Sequence, residues 1–174
     1  GANSGRGLSP GLWAKQPRDF QDLSVGFGIQ DDFLTFDDEN KWVLTQATAG
    51  TVALDVAAKG GVLLLDSNST TNNQGVQVQL GGAAGASSFI ASATSKIYYE
   101  ARIKAADIGS TTCQVFAGLA IVDTSVFASA ANSTANHIGY EAINSTAVGI
   151  HSEKAGTRSS TASAHTLVDD TYVK

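Results

Sequence analysis

Alternation of apolar and polar residues over short segments dominates this sequence and limits the folds open to it. Residues 75–80 read GVQVQL, so apolar residues occupy every second position and glutamine the positions between. Residues 51–57 (TVALDVA) and 96–104 (KIYYEARIK) alternate in the same way. Side chains of a β-strand point alternately to opposite faces, so the pattern predicts strands with one buried face. It places Val56 on the buried face and Glu100 on the solvent face.

Further strands are predicted between turn sequences rich in glycine, serine and asparagine. They are 61–66, 113–122, 137–143, 147–152 and 166–174. One short, alanine-rich helix is expected at residues 124–131. Strands that recur about every 8–12 residues are typical of an all-β sandwich or barrel. The sequence therefore predicts an all-β fold, either a sandwich or a barrel.

The first 40 residues differ from the rest, because they follow neither the helical nor the strand period. They are predicted to form an extended N-terminal arm (1–40) ahead of a β-sandwich domain (41–174). Trp13, Phe20 and Phe27 are spaced along this arm like anchors. Disordered segments are poor in aromatic residues, so an arm packed on its own domain or on a neighbour is favoured over an unstructured tail. The last predicted strand has no closing turn, so the chain is expected to continue.

Composition and charge exclude several classes of protein. The chain has 11 Lys and Arg against 16 Asp and Glu, a formal net charge of -5, so the basic surface typical of nucleic-acid binders is not expected. No stretch approaches the roughly 20 apolar residues of a membrane span. The single cysteine, Cys113, allows no intrachain disulfide, and its apolar surroundings are typical of a small core residue. Neither nucleic acid nor a membrane is predicted as a partner.

Motifs for catalysis are missing from the sequence. There is no G-x-S-x-G nucleophile elbow and no P-loop. Glycosidases need two carboxyl groups about 5.5 Å apart for retention or about 6.5–9.5 Å for inversion. No predicted strand carries two acids on one face, and Glu100 and Glu141 each stand alone. The densest acidic segment, 31–39, is interpreted as a solvated loop between arm and domain. No catalytic residue is assigned, and a glycoside hydrolase is the least favoured hypothesis.

Metal ligands are equally sparse. Asp66, Asn68 and Thr70 have the oxygen spacing of a calcium loop, but Gln77 stands where a bidentate glutamate belongs. An Asx turn explains this segment without a metal. The histidines are His137, His151 and His165. They are interpreted as ordinary sandwich residues, because zinc needs three or four converging ligands and no fourth is evident. No metal and no cofactor is predicted.

Five segments occur in a recognisable order along the chain. They are SPGLWAKQP from residue 9, DDFLTF from 31, KWVLTQATAGTVALDVAAKGGVLLLDS from 41, IYYEARIKAADI from 97 and FAGLAIVD from 116. This order resembles the structural virion proteins of tailed bacteriophages that carry a concanavalin-A-like or laminin-G-like jelly roll. The resemblance covers about residues 9–174 and its motifs are structural. It implies a two-sheet antiparallel β-sandwich with an N-terminal arm. It also implies a head decoration (cement) protein on the outer surface of the capsid, without enzymatic activity.

The same resemblance implies the partners. They would be the major capsid protein and further copies of this chain in a small homo-oligomer. Trp13, Phe20 and Phe27 are the candidate anchors of the arm on a neighbour, since aromatic residues are common interface hot spots. Modest binding per copy becomes strong where a shell presents many linked sites.

A carbohydrate-binding, lectin-like module of a phage tail, fibre or surface protein is the alternative hypothesis. Sandwiches of this kind often bind glycans through exposed aromatic side chains. The candidate residues are Trp42, Tyr98 and Tyr140. Trp42 has a second interpretation, as a residue that seals the core.

Overall fold

The structure, a computed structural model, describes ten ranges of the chain and Gly11. The ranges are 28–38, 40–46, 49–58, 60–68, 75–81, 92–94, 96–106, 114–121, 136–143 and 145–174, with the backbone alone at 162–164. The predicted helix at 124–131, Cys113 and the anchors Trp13, Phe20 and Phe27 lie outside these residues.

Eight β-strands make up 48% of the described residues, and all their pairings are antiparallel. They are β1 (Trp42–Gln46), β2 (Thr51–Leu54), β3 (Leu63–Asp66), β4 (Val76–Leu80), β5 (Gln114–Ala120), β6 (His137–Ile143), β7 (Ala147–Lys154) and β8 (Thr157–Thr166). The predicted all-β class is confirmed.

The strands form three sheets. β1 pairs with β4, β2 pairs with β3, and β5, β6, β7 and β8 follow one another in a four-stranded sheet. In the chain, the β2–β3 pair is inserted between the two strands of the first sheet. The side chain of Gln79 in β4 donates a hydrogen bond of 3.0 Å to the carbonyl of Ile121, just beyond β5. This bond links the first sheet to the four-stranded sheet.

The four-stranded sheet has two faces of opposite character. The register aligns Ala117 with Tyr140 and Ile150 in one row, and Gly118 with Gly139 and His151 in the next. Because side chains alternate along each strand, neighbouring rows project to opposite faces. The face here called the apolar face carries Val115, Ala117, Leu119, Ile138, Tyr140, Ala142, Val148 and Ile150. The opposite face, the polar face, carries Phe116, His137, Glu141, His151, Glu153 and Arg158.

The hydrophobic core of the described chain lies at one end of the apolar face. Its buried members are Ala142, Val148 and Leu167. The C-terminal segment covers this end: the backbone N–H of Leu167 donates to the carbonyl of Thr146 at 2.8 Å. Val173 exchanges two backbone hydrogen bonds with Ile103, at 2.8 and 3.0 Å. The last residues are thereby tied to the segment 96–106.

Several strand predictions were wrong in position. The segment 96–104 is extended, but among the described residues it forms only the bridge between Ile103 and Val173. Of the predicted strand 166–174, Thr166 is the last residue of β8 and Val173 forms that bridge, whereas the strand that pairs with β7 is Thr157–Thr166. Alternation records which side chains are apolar, while a strand also needs a hydrogen-bonded neighbour, which tertiary structure supplies.

The predicted strand at 51–57 ends early, at Leu54. The side chain of Asp55 accepts a hydrogen bond from the backbone N–H of Ala57 at 3.0 Å, and its carbonyl accepts one from Ala58 at 3.2 Å. This Asx turn redirects the chain. Val56 is therefore 97% exposed, not buried beside Val52.

We expect Gly118→Ala to destabilise the fold by about 1–3 kcal/mol, because a methyl group at this position has no room. Its Cβ would lie 2.5 Å from the Cα of Gly139 and 3.0 Å from the ring of Phe116. Denaturant unfolding of the two proteins measures the difference. Gly75→Ala is the matched control, since a Cβ there meets nothing within 4 Å. Equal stability of the two variants would contradict this account of the sheet.

Candidate functional site

The polar face brings together a set of titratable side chains from three strands, here called the ionic cluster. Its members are His137 and Glu141 of β6, His151 and Glu153 of β7, and Arg158 of β8. Glu141 is 2% exposed, and His137 and Glu153 are each 6% exposed. Burial of ionised groups costs free energy unless they are paired, so their partners decide what this cluster does.

Arg158 is the centre of the cluster. Its Nη2 donates to Oε2 of Glu141 at 2.8 Å, and lies 2.6 Å from Nδ1 of His151. A guanidinium has donors only, so Nδ1 of His151 must accept this hydrogen bond. This assigns a neutral imidazole whose proton is on Nε2. The same Nδ1 lies 3.7 Å from Oε2 of Glu141.

Glycines on the polar face make room for the two rings of this region. A Cβ at Gly149 would lie 2.6 Å from Nε2 of His151, so the imidazole lies directly over the glycine. The ring of Phe116 covers Gly118 and Gly139 in the same way. It meets His137 edge-on, with centroids 5.5 Å apart and an angle of 85° between the rings.

The surroundings of His151 favour its neutral form. Burial lowers its pKa below the ordinary 6.5. The charge of Glu141 opposes this effect, and the charges of Arg158 and His137 reinforce it. The imidazole is therefore unprotonated at pH 7, in agreement with its role as an acceptor for Arg158.

β6 carries no acid besides Glu141, as the sequence indicated, but Glu141 has a basic partner that the sequence did not reveal. Its partner, Arg158, is 17 residues away on a strand that local alternation did not predict. Glu100 was predicted on the solvent face, but its side chain is only 11% exposed, and it forms an ion pair with Lys174 at 3.0 Å. Both acids carry structural ion pairs.

The two buried carboxylates of the cluster are far apart along the sheet. Glu153 lies opposite His137, whereas Glu141 lies opposite Gly149. Four residues of a strand span about 13 Å, so the backbone positions of the two acids are well separated along the sheet. Within the described ranges, no group of three or more His, Cys, Asp or Glu side chains is arranged to hold a metal ion.

The apolar face carries a second candidate site, here called the apolar cleft. It has a volume of about 200 Å³ and is lined by Ile97, Tyr99, Leu119, Ile138, Gly139, Tyr140 and Ile150. Ile138, Tyr140 and Ile150 are 53%, 45% and 40% exposed. Burial raises the pKa of Tyr99 above 10.0, so its hydroxyl stays protonated at neutral pH. The cleft presents an uncharged, largely aliphatic surface to solvent.

The aromatic residues predicted to bind glycans lie in different environments. Tyr140 is on the rim of the apolar cleft and open to solvent. Tyr98 is half-buried in the segment that borders the cleft and does not line it. Trp42 is half-buried at the start of β1, where its Nε1 donates to Oδ2 of Asp31 at 2.9 Å. The structure does not bring the three together.

Trp42 belongs to a junction between the segment 31–38 and β1. Its ring lies 5.4 Å from that of Phe33, and Lys41 pairs with Asp31 at 2.7 Å. Burial would raise the pKa of Asp31, but hydrogen bonds from Lys41, the Phe33 backbone and Trp42 outweigh it and hold the pKa below the ordinary 3.8. The prediction of a solvated loop at 31–39 therefore does not hold for Asp31, whose carboxylate is bonded within this junction.

Comparisons with protein-family models, with curated proteins and with solved structures found no match to this chain. Among the residues that the structure describes, no helix is long and apolar enough to cross a membrane.

Arg158→Ala should cost about 3 kcal/mol of stability, because it leaves the buried carboxylate of Glu141 without its guanidinium. Denaturant unfolding at pH 7 measures the loss. Lys104→Ala is the matched control: it breaks an ion pair with Asp170 whose side chains are 41% and 73% exposed, and such pairs contribute at most about 1 kcal/mol. A loss no larger than in this control would show that Arg158 does not stabilise Glu141.

Proposed function

We propose that this protein is a non-enzymatic structural component of a tailed-bacteriophage particle, a decoration protein that binds the major capsid protein on the outside of the shell. The structural observation that carries the proposal is the apolar face, where Ile138, Tyr140 and Ile150 remain exposed side by side. The order of the five sequence segments supplies the virion context.

The apolar face suits attachment to another protein. Ile150 lies directly across from Tyr140 in the register, and Ile138 lies two residues before Tyr140 on the same face. Contiguous apolar side chains in contact with water are typical of surfaces that bind other proteins. Large aromatic and aliphatic anchors at such a surface provide most of the binding free energy. A shell that presents many copies of the partner strengthens modest individual contacts.

The polar face suits a structural role. One of its two buried acids, Glu141, is paired with Arg158, and the other, Glu153, lies opposite a position four residues away along β6. A protein that stabilises a shell needs rigid sheets and an attachment surface, and it needs no reacting groups. The ionic cluster accordingly acts in this proposal as a tie between β6 and β8.

The finer architecture is part of the same proposal. The four-stranded sheet forms one layer of a two-sheet jelly-roll sandwich, and the pairs β1–β4 and β2–β3 belong to the other. The bond from Gln79 to Ile121, which joins two of these sheets, supports this arrangement. The arm, residues 1–40, reaches a neighbouring subunit with Trp13, Phe20 and Phe27 as anchors, and small homo-oligomers form on the shell.

Copy number in purified particles tests the proposal. Gradient-purified virions from the source are quantified by mass spectrometry against the major capsid protein. A copy number of the same order as that of the major capsid protein supports a shell component. A few copies in a small symmetric multiple indicate the tail or fibre, and absence from particles would overturn the virion assignment.

We expect the double variant Tyr140→Ser, Ile150→Ser to bind capsid shells at least about tenfold more weakly, because it removes two central apolar contacts. Co-sedimentation of the purified protein with undecorated shells measures the affinity. Leu64→Ser is the control: this side chain is 54% exposed on β3, away from the apolar face. Unchanged binding of the double variant would exclude this face as the attachment surface.

Carbohydrate binding is the second candidate function, and the position of Tyr140 favours it. Its side chain is 45% exposed at the edge of an open cleft that also contains Tyr99. Aromatic rings at such positions stack on the apolar faces of sugars.

A glycan array with the purified protein tests this alternative. If it binds glycans, Tyr140→Ala should abolish the signal, whereas Tyr172→Ala should retain it, because Tyr172 lies outside the cleft and packs on Arg102 at 3.6 Å. An array without hits, or equal signals from both variants, would count against a sugar site at the apolar cleft.

A further inference from the structure

β8 is divided into two lengths by an irregularity in its pairing with β7. Val148 faces His165 and Ile150 faces Thr161, so the residues 162–164 lie opposite Gly149 alone. The first length, 157–161, pairs with residues 150–154 of β7. Among the described strands, β7 is the only neighbour of β8, which places this length at an edge of the sheet.

One side chain ties this length of β8 to the interior of the sheet. Arg158 is 24% exposed, whereas the other side chains of 157–161 are exposed. The guanidinium of Arg158 extends across β7 to the carboxylate of Glu141 on β6. Its Nη2 also donates a hydrogen bond to His151 on β7. Arg158 therefore acts as a latch between an edge strand and the second strand inward.

The protonation state of His151 determines whether Arg158 keeps its hydrogen bond with this imidazole. A proton on Nδ1 would place an N–H donor and a positive charge 2.6 Å from the Nη2 donor of Arg158. The hydrogen bond would be lost, and two cations would share the carboxylate of Glu141. Among the residues that the structure describes on this face, the other titratable groups are His137 of β6 and Glu153 of β7, both buried.

We propose that the ionic cluster is a pH-sensitive latch, in which protonation of His151 breaks its hydrogen bond with Arg158 and releases residues 157–161 from the edge of the four-stranded sheet. This device is independent of the proposed attachment to a capsid.

The direction of the effect follows from proton binding. An imidazole released from the cluster regains its ordinary affinity for protons, which is higher than its affinity in the closed state. The open state therefore binds more protons, and it gains population as the pH falls below about 6.5. Above that pH both states are neutral at His151, and the closed latch keeps its full stability.

Native-state hydrogen exchange between pH 7.5 and 5 tests the proposal, with rates corrected for intrinsic exchange. In the wild type, protection of the β8 amides bonded to β7 within 157–161 should fall by up to about tenfold per pH unit below pH 6.5, the limit for one proton. Amides of β6 at 138–142 should change less. Protection at 157–161 that is independent of pH would overturn the proposal.

The matched variants are His151→Gln and His165→Gln. Glutamine at 151 offers Arg158 an acceptor that does not titrate, so the pH response of 157–161 should disappear. His165 is exposed on the same strand, on the other side of the irregularity, and its replacement should leave the response intact. A response that persists in His151→Gln would overturn the latch.

A titration of His151 by NMR in the wild type provides a test that does not depend on folding of a variant. Its midpoint should lie below 6.5, and the loss of protection at 157–161 should begin near pH 6.5 and level off at that midpoint. A midpoint at or above 6.5, or a loss of protection that continues well below the midpoint, contradicts the mechanism.

Discussion

The pairing of Arg158 with Glu141 is the interaction on which the four-stranded sheet depends. A carboxylate that is 2% exposed has lost its hydration, and its charge must be balanced within the protein. The guanidinium can do this only if β8 pairs with β7 in the observed register and if the side chain passes over His151. The imidazole in turn needs a glycine beneath it, at Gly149. One buried charge thus constrains three strands.

The two faces of this sheet differ in how far their side chains are exposed to water. The polar face holds its ionised groups away from water, while much of the apolar face remains in contact with it. At one end, Leu167 and the neighbouring C-terminal residues cover the apolar face and form the core. At the other end Ile138 and Tyr140 are open. The functional proposal places a partner at this open end, where burial of apolar surface provides the free energy of attachment.

A second anchor operates at the start of the domain. Asp31 accepts hydrogen bonds from Trp42 and from the backbone of Phe33, and it pairs with Lys41. The backbone of this turn also passes so close to Gly61 that no side chain fits there. The junction is therefore positioned against both β1 and the β2–β3 hairpin.

The sequence by itself determined the all-β class and the positions of most strands, because alternation and turn residues are local properties. The alternating GVQVQL became β4, and HIGYEAI became β6, each where predicted. Tertiary structure decided the rest. β8, with the sequence TRSSTASAHT, has no apolar alternation and is a strand only because β7 supplies its hydrogen bonds. The partner of Glu141 lies on that strand, so neither the ionic cluster nor its latch could be predicted, since both require the register between strands.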